Sequence, residues 1–180
     1  MNPNNSYVDI EALLQTEMAE SIATKDLRLK DGKGDAYNLE NAHVEFAFTN
    51  IENNYVRLWI SSKSGEAKDL GIVYALYCLG AKEILTELMV LDESWSNEKK
   101  VIHYLKCYNK AIIEGFFDAA IAGDFAWKAD YDELELEAKR LQRLYYKLSD
   151  QKHPEASAIW KKRSKGDMTW MDDVKRLTAI

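Results

Sequence analysis

From Leu70 to Ala81 the chain carries no charged residue, within the longer run DLGIVYALYCLGAKEILTEL that extends from Asp69 to Leu88. A stretch this apolar must be a membrane span or the interior of a folded domain, and length decides between them. As a helix it covers about 18 Å at ~1.5 Å per residue, against a hydrocarbon core of about 30 Å. Lengthening it to Leu91 brings Lys82, Glu83 and Glu87 toward its middle. Each such charge costs about 2.5–3.5 kcal/mol at a bilayer centre. The segment therefore reads as a core helix, not a span. Leu70, Val73, Tyr74, Tyr77, Ala81, Ile84 and Leu88 form a wide apolar stripe, and Leu76, Cys78 and Leu79 spread it around most of the circumference. A helix apolar nearly all round belongs at the centre of a fold. Gly71 and Gly80, each costing about 1 kcal/mol in helix propensity, would be repaid by close approach of neighbouring helices.

Proline supports long helices by its scarcity. Pro3 and Pro154 are the only two, so nothing between Asn4 and His153 forces a helix to break. Ile10, Leu14, Met18 and Ile22 recur every fourth residue, after Ser6 and Asp9 at capping-box spacing. Val101, Leu105, Tyr108, Ile112, Phe116 and Ala119 line a second helix, ended by Gly123. DYDELELEAKRLQRLYYKLSD reads as a third. Asp130 is its expected N-cap, Leu134, Ala138, Leu141, Tyr145 and Leu148 form its inner face, and Glu135–Lys139 is an i,i+4 pair. Two shorter helices follow Pro154, with Asp167 as a cap.

The segment from Val44 to Ser61 fits two periods. As strands, Val44, Phe46 and Phe48 alternate with Glu45, Ala47 and Thr49, and IENN forms a hairpin loop. As a helix, Val44, Phe48, Ile51, Tyr55 and Leu58 follow the i, i+4, i+7, i+11, i+14 template, and Gly65 supplies a C-terminal stop. The loop would lack glycine and contain Ile51, so the helix is the expectation. The predicted fold is all-α: one domain over residues 1–180, a bundle of about six or seven helices around the Asp69–Leu91 helix. Residues 150–180 are a candidate helical appendage. The alternative is α+β, with a hairpin near residues 43–61.

Composition and motifs narrow the function classes. Hydrophobic residues make up 47% and charged residues 30%, in the range of folded globular chains. A net charge of -6 weighs against non-specific nucleic-acid binding. The first residues contain no basic, continuously apolar leader, and Cys78 and Cys107 lie in apolar helical patterns, which points to reduced thiols in the cytoplasm. Cys78, between Tyr77 and Leu79, is expected to be the buried, inert thiol, and Cys107, near His103, Lys106 and Lys110, the less inert one.

Catalytic constellations are incomplete. KDGKGD lacks the spacing and the Lys-Ser/Thr pair of a phosphate loop. Glu40–His43 is one Glu-x-x-His where a di-metal bundle needs two, and the looser Asp150–His153 pair abuts Pro154 at a helix break. Glu83 and Glu87 with Glu114 and Asp118 would hold magnesium only if their helices faced each other. No metal and no cofactor is expected. WKKRSKGDMTW, from Trp160 to Trp170, interleaves basic and aromatic residues as a nucleic-acid footprint does, but Asp167, Asp172 and Asp173 stand close by. Tyr74, Tyr77, Tyr104, Tyr108, Tyr145 and Tyr146 are candidates for a polar pocket or for the edge of the core.

The leading functional expectation is a cytoplasmic protein-binding module that inhibits or neutralises a partner protein, as an immunity protein or antitoxin does. A metal-dependent helical enzyme and a nucleic-acid-associated regulator are the alternatives, and no membrane partner is expected. The candidate partner surface is the acidic start of the third helix: Trp127 and Tyr131 as aromatic anchors beside Glu135 and Glu137, suited to a basic protein.

Overall fold

A computed structural model describes residues 8–31, 36–51 and 55–179. Two short helices, α1 (Ile10–Glu17) and α2 (Ala19–Thr24), lead into five strands: β1 (Arg28–Asp31), β2 (Ala36–Glu40), β3 (Val44–Ile51), β4 (Tyr55–Ser62) and β5 (Leu70–Gly71). Seven helices follow: α3 (Ile72–Cys78), α4 (Lys82–Met89), α5 (Asn97–Ile113), α6 (Asp118–Ile121), α7 (Lys128–Asp150), α8 (Ala156–Ser164) and α9 (Trp170–Thr178). The fold is α+β, not the expected all-α helical bundle. Among the described residues, no helix is long and apolar enough to cross a membrane.

The sheet overturns the helical reading of residues 44–61. Its strands run antiparallel in the order β1-β2-β3-β4-β5. Val44, Phe46, Phe48, Val56, Leu58 and Ile60 are all buried, each at an alternate position of β3 or β4. A helix would have aligned only Val44, Phe48 and Leu58 of these six and turned the others off its stripe. Cross-strand register then joins Leu29, Leu39, Phe46, Ile60 and Leu70 into one apolar row. Full burial of such a side chain contributes about 1.5–3 kcal/mol.

Helix α5 covers this inner face. Ser96 caps it, its Oγ accepting from the Lys99 N–H at 3.2 Å. Val101, Leu105, Tyr108 and Ile112 are buried against the sheet and neighbouring helices. The Tyr108 hydroxyl donates to the Val56 carbonyl at 2.7 Å, and Phe117 meets Phe46 edge-on at 5.7 Å between ring centroids. Leu14 and Met18 are wholly buried, and the Ser21 N–H donates to Asn109 Oδ1 at 3.3 Å, tying the N-terminal helices to α5. Asp9 is the cap of α1, accepting from the Ala12 N–H at 3.1 Å; Ser6 lies outside the described residues.

The expected central helix from Asp69 to Leu91 is three elements. Leu70 and Gly71 pair with Ile60 and Trp59 as β5, and the rest divides into α3 and α4. Gly80 separates the two helices at φ +75°, with its N–H on the Tyr77 carbonyl and the Ala81 N–H on the Leu76 carbonyl. These bonds are a Schellman termination. A Cβ at Gly80 would meet nothing within 4 Å, so its role is backbone conformation and not the expected close helix packing. Gly115, at φ +86°, ends α5 in the same way, ahead of the separate α6 and of Gly123. Asp130 lies in the first turn of α7, whose N-cap is Trp127.

Buried side chains form two clusters. The larger spans the sheet, α1, α3–α6 and the start of α7. The smaller joins Ala138, Leu141 and Tyr145 of α7 to Ala156, Ile159, Met168, Trp170, Met171 and Val174. Val73 and Tyr74 of α3 pack against both.

Candidate functional site

On β4 the residues facing away from the core are Tyr55, Arg57 and Trp59, at i, i+2 and i+4. Strand geometry spreads them over about 13 Å of one sheet face. Tyr55 and Arg57 are exposed and Trp59 is half-buried. Opposite them stand Tyr74 of α3, Tyr131 and Glu135 of α7, and the α8–α9 connection with Arg163, Ser164, Gly166, Met168 and Trp170. Between these walls lies an open cleft of about 530 Å³. A second recess of about 330 Å³ shares Tyr55, Val73, Ser164 and Gly166 with it and extends toward Tyr104, Lys100 and Lys165.

Local packing holds the walls. Gly71 forms part of the floor, where a Cβ would stand 3.6 Å from the Trp59 ring and 3.7 Å from the Tyr131 hydroxyl. The Gly71 N–H donates to that hydroxyl at 2.8 Å, fixing α7 to the edge of the sheet. Tyr74 and Tyr131 lie 6.0 Å apart, and burial raises the pKa of both hydroxyls, so both are neutral. Tyr55 meets Tyr104 edge-on at 5.0 Å. Burial drives the Tyr104 pKa up strongly as well.

The two arginines are held by rings. Arg57 lies 5.8 Å from the Tyr55 centroid, and Arg163 lies 5.7 Å from both the Trp160 and Trp170 centroids. Neither forms an ion pair with a carboxylate among the described residues. A guanidinium over a ring keeps its in-plane N–H donors for another group. The Gln142 side-chain amide donates to the Tyr146 hydroxyl at 3.0 Å, and this bond, with the nearby positive charge of Arg163, lowers that phenol's pKa.

The surface expected at the start of α7 is divided. Tyr131 is buried and, with Glu135, lines the cleft, where Glu135 pairs with Lys139 at 2.8 Å. Glu137 is held by Arg140 at 2.7 Å and by Lys175 of α9 at 3.4 Å, and the Arg140 hydrogen bonds keep its carboxyl below the usual range. Trp127 lies tilted against Phe125 and edge-on to Tyr131, its indole N–H buried and without a hydrogen-bond partner among the described residues. Trp127 and Glu137 do not line the cleft that holds Tyr131 and Glu135.

The four acids considered for magnesium do not converge. Glu87 pairs with Lys110, which also lies 4.0 Å from Glu114, while Asp118 bonds Lys25 at 2.6 Å. Among the described residues no group of three or more His, Cys, Asp or Glu side chains could hold a metal ion. The thiols reverse their expected order: Cys107 is buried and Cys78 only partly so. Burial raises both pKa values, that of Cys107 to about 11.

In the sequence, the helical period of residues 44–58 masks the alternation that puts Arg57 and Trp59 on the outer face of β4. The strand reading is the signal that finds them. Arg163 and Trp170 belong to the basic-aromatic stretch singled out for nucleic acid. Comparison with protein-family models, curated proteins and solved structures gives no match to this chain.

Proposed function

We propose that this protein is a cytoplasmic protein-binding module that inhibits or neutralises a partner protein, in the manner of an immunity protein or antitoxin. The cleft between β4 and the α8–α9 connection is its recognition site. One observation carries the reading: tyrosine, tryptophan and arginine side chains converge on a single open surface. These are the residue types that dominate binding energy at protein interfaces. A small-molecule site buries most of its ligand, whereas this cleft is open along its length, which favours a projecting segment of a larger partner. The unpaired Cys78 and Cys107 support the cytoplasmic assignment.

The test is a photo-crosslinking amino acid placed at Ser164, on the rim, in cells of the native host. A control carries it at Lys147, exposed on α7. One protein species should crosslink from Ser164 and not from Lys147, and the purified chain should inhibit that species. Trp59→Ala should weaken inhibition by about tenfold or more, the scale of an interface hot spot. Absence of a Ser164-specific adduct, or an adduct with a protein whose activity the chain leaves unchanged, would sink the proposal.

A further inference from the structure

Resting on that reading of the cleft, we infer that its occupant is an acidic segment of the partner, whose carboxylates reach Arg57 and Arg163 while an aromatic or apolar side chain enters between Trp59 and Tyr74. The whole chain is acidic, at -6, yet the charged groups facing the cleft are predominantly cationic. Arg57 and Arg163 stand on opposite walls, and Lys165 extends the same character into the adjoining recess. None of the three is paired to a carboxylate among the described residues.

The acids that face the cleft do not cancel them. Glu135 is engaged by Lys139 at 2.8 Å. Glu93 borders only the adjoining recess, which Lys100 and Lys165 also line. Two basic groups near the cleft are paired within the chain: Lys162 lies 2.5 Å from Asp173, and Arg176 pairs with Glu155.

Guanidinium geometry specifies the class of group received. Ring faces hold each arginine, which pre-orders its fork of N–H donors for a planar two-oxygen acceptor. A protein carboxylate fits that description, and neutral residues between successive carboxylates let the segment pass Glu135 and Glu93. A nucleic-acid strand places a negative phosphate at every nucleotide and would meet both acids, so its continuous charge fits less well. Charge complementarity of this kind also selects against basic partners.

Fluorescence anisotropy of the full chain tests this with four labelled probes. They are a peptide of about ten residues alternating Glu and Tyr, its Gln-for-Glu and Lys-for-Glu counterparts, and an oligothymidylate of similar length. The Glu peptide should bind saturably, about tenfold or more tighter than each other probe, as expected when a charge-assisted bond is gained. Arg57→Gln should weaken it by about tenfold, and added salt should weaken it further. Arg57 is exposed on β4, so this variant keeps the fold where Arg163→Gln would remove contacts with two tryptophan rings, one of them buried. Equal binding of the Gln peptide, preference for the Lys peptide, tighter binding of the oligonucleotide, or no saturable binding would each overturn the inference. A Ser164 crosslink to an inhibited protein together with any of these results leaves the protein-binding reading standing. Glu-peptide binding that Arg57→Gln abolishes, without that crosslink, upholds the cleft's chemistry and removes the neutralising role.

Discussion

The two hydrophobic clusters are built on different principles. In the larger one a row of cross-strand partners, Leu29, Leu39, Phe46, Ile60 and Leu70, joins residues far apart in sequence. α5 then seals that row from one side. In the smaller one, three helices close on nine buried side chains, and their polar rims are tied by Lys162–Asp173, Lys175–Glu137 and Arg176–Glu155. Surface pairs of this kind contribute about 0–1 kcal/mol each. A cluster so small does not stabilise itself; it shares α7 with the body and leans on Val73 and Tyr74. The recognition cleft lies along this seam, where Arg57 and Trp59 from the body face Arg163 and Trp170 from the C-terminal helices. Local opening is easiest where buried apolar contacts are few, so the contrast places the cleft's mobile wall on the C-terminal side.

Truncation of each core tests the contrast most severely. Phe46→Ala, in the body, should cost about 3–5 kcal/mol in urea denaturation and lower the protection of the whole chain to hydrogen exchange. Leu141→Ala, fully buried in the smaller cluster, should cost about 2–3 kcal/mol. Its lost protection should be concentrated between residues 138 and 178. Equal loss over β3 and β4 would make the two clusters one cooperative unit.

Acid should separate the regions less sharply. On the outer face of the sheet the Glu40 carboxylate receives Lys30 and Lys63, and these hydrogen bonds hold its pKa below the ordinary value despite burial. Burial pushes Lys63 down, but its bonds to Glu40 and Glu45 more than reverse this. A depressed carboxylate pKa stabilises the fold above the unfolded-state value, and the contribution is lost as pH falls through the folded-state value. Stability from pH 5 to pH 2 should therefore fall less steeply in Glu40→Gln than in the parent, measured by thermal melts at each pH. In the C-terminal helices, where Glu155 is exposed, the ion pairs should respond more to salt. A Glu40→Gln profile parallel to the parent would show that Glu40 contributes no acid sensitivity.

The smallest perturbation is thiol labelling, which leaves stability unchanged. Cys78 borders a recess at the seam with Asp130, Leu134, Met168 and Met171, whereas Cys107 is buried in the body. At pH 8 a thiol reagent should modify Cys78 in the native protein and reach Cys107 only on unfolding. Leu141→Ala should accelerate Cys78 alone. Faster modification of Cys107 than of Cys78 would contradict the assignment of the seam.

Much of the helical framework was legible because helices are local. Ser96 caps α5, and Val101, Leu105, Tyr108 and Ile112 keep its period without help from distant residues. The inner face of α7 from Ala138 to Leu148 is visible for the same reason. The breaks at Gly80 and Gly115 were harder to see, because a glycine inside an apolar run signals either close packing or a left-handed termination, and periodicity is silent between them. The strand pair β3 and β4 was ambiguous in itself: Val44, Phe48 and Leu58 satisfy both periods.

By itself, then, the sequence determined where the apolar faces lie on α5 and α7, and that the uncharged run from Leu70 to Ala81 is too short to span a bilayer. Tertiary structure alone decided that residues 44–51 and 55–62 are strands, because burying Phe46, Val56 and Ile60 depends on pairing with Leu39 and Leu70 and on cover from α5. It also decided the cleft. Arg57 and Arg163 are separated by more than half the chain, and no local pattern records that β4 and the α8–α9 connection will face each other. That juxtaposition comes from the long-range packing of α3 and α7 between them, through Gly71 on Tyr131 and Tyr74 against both cores.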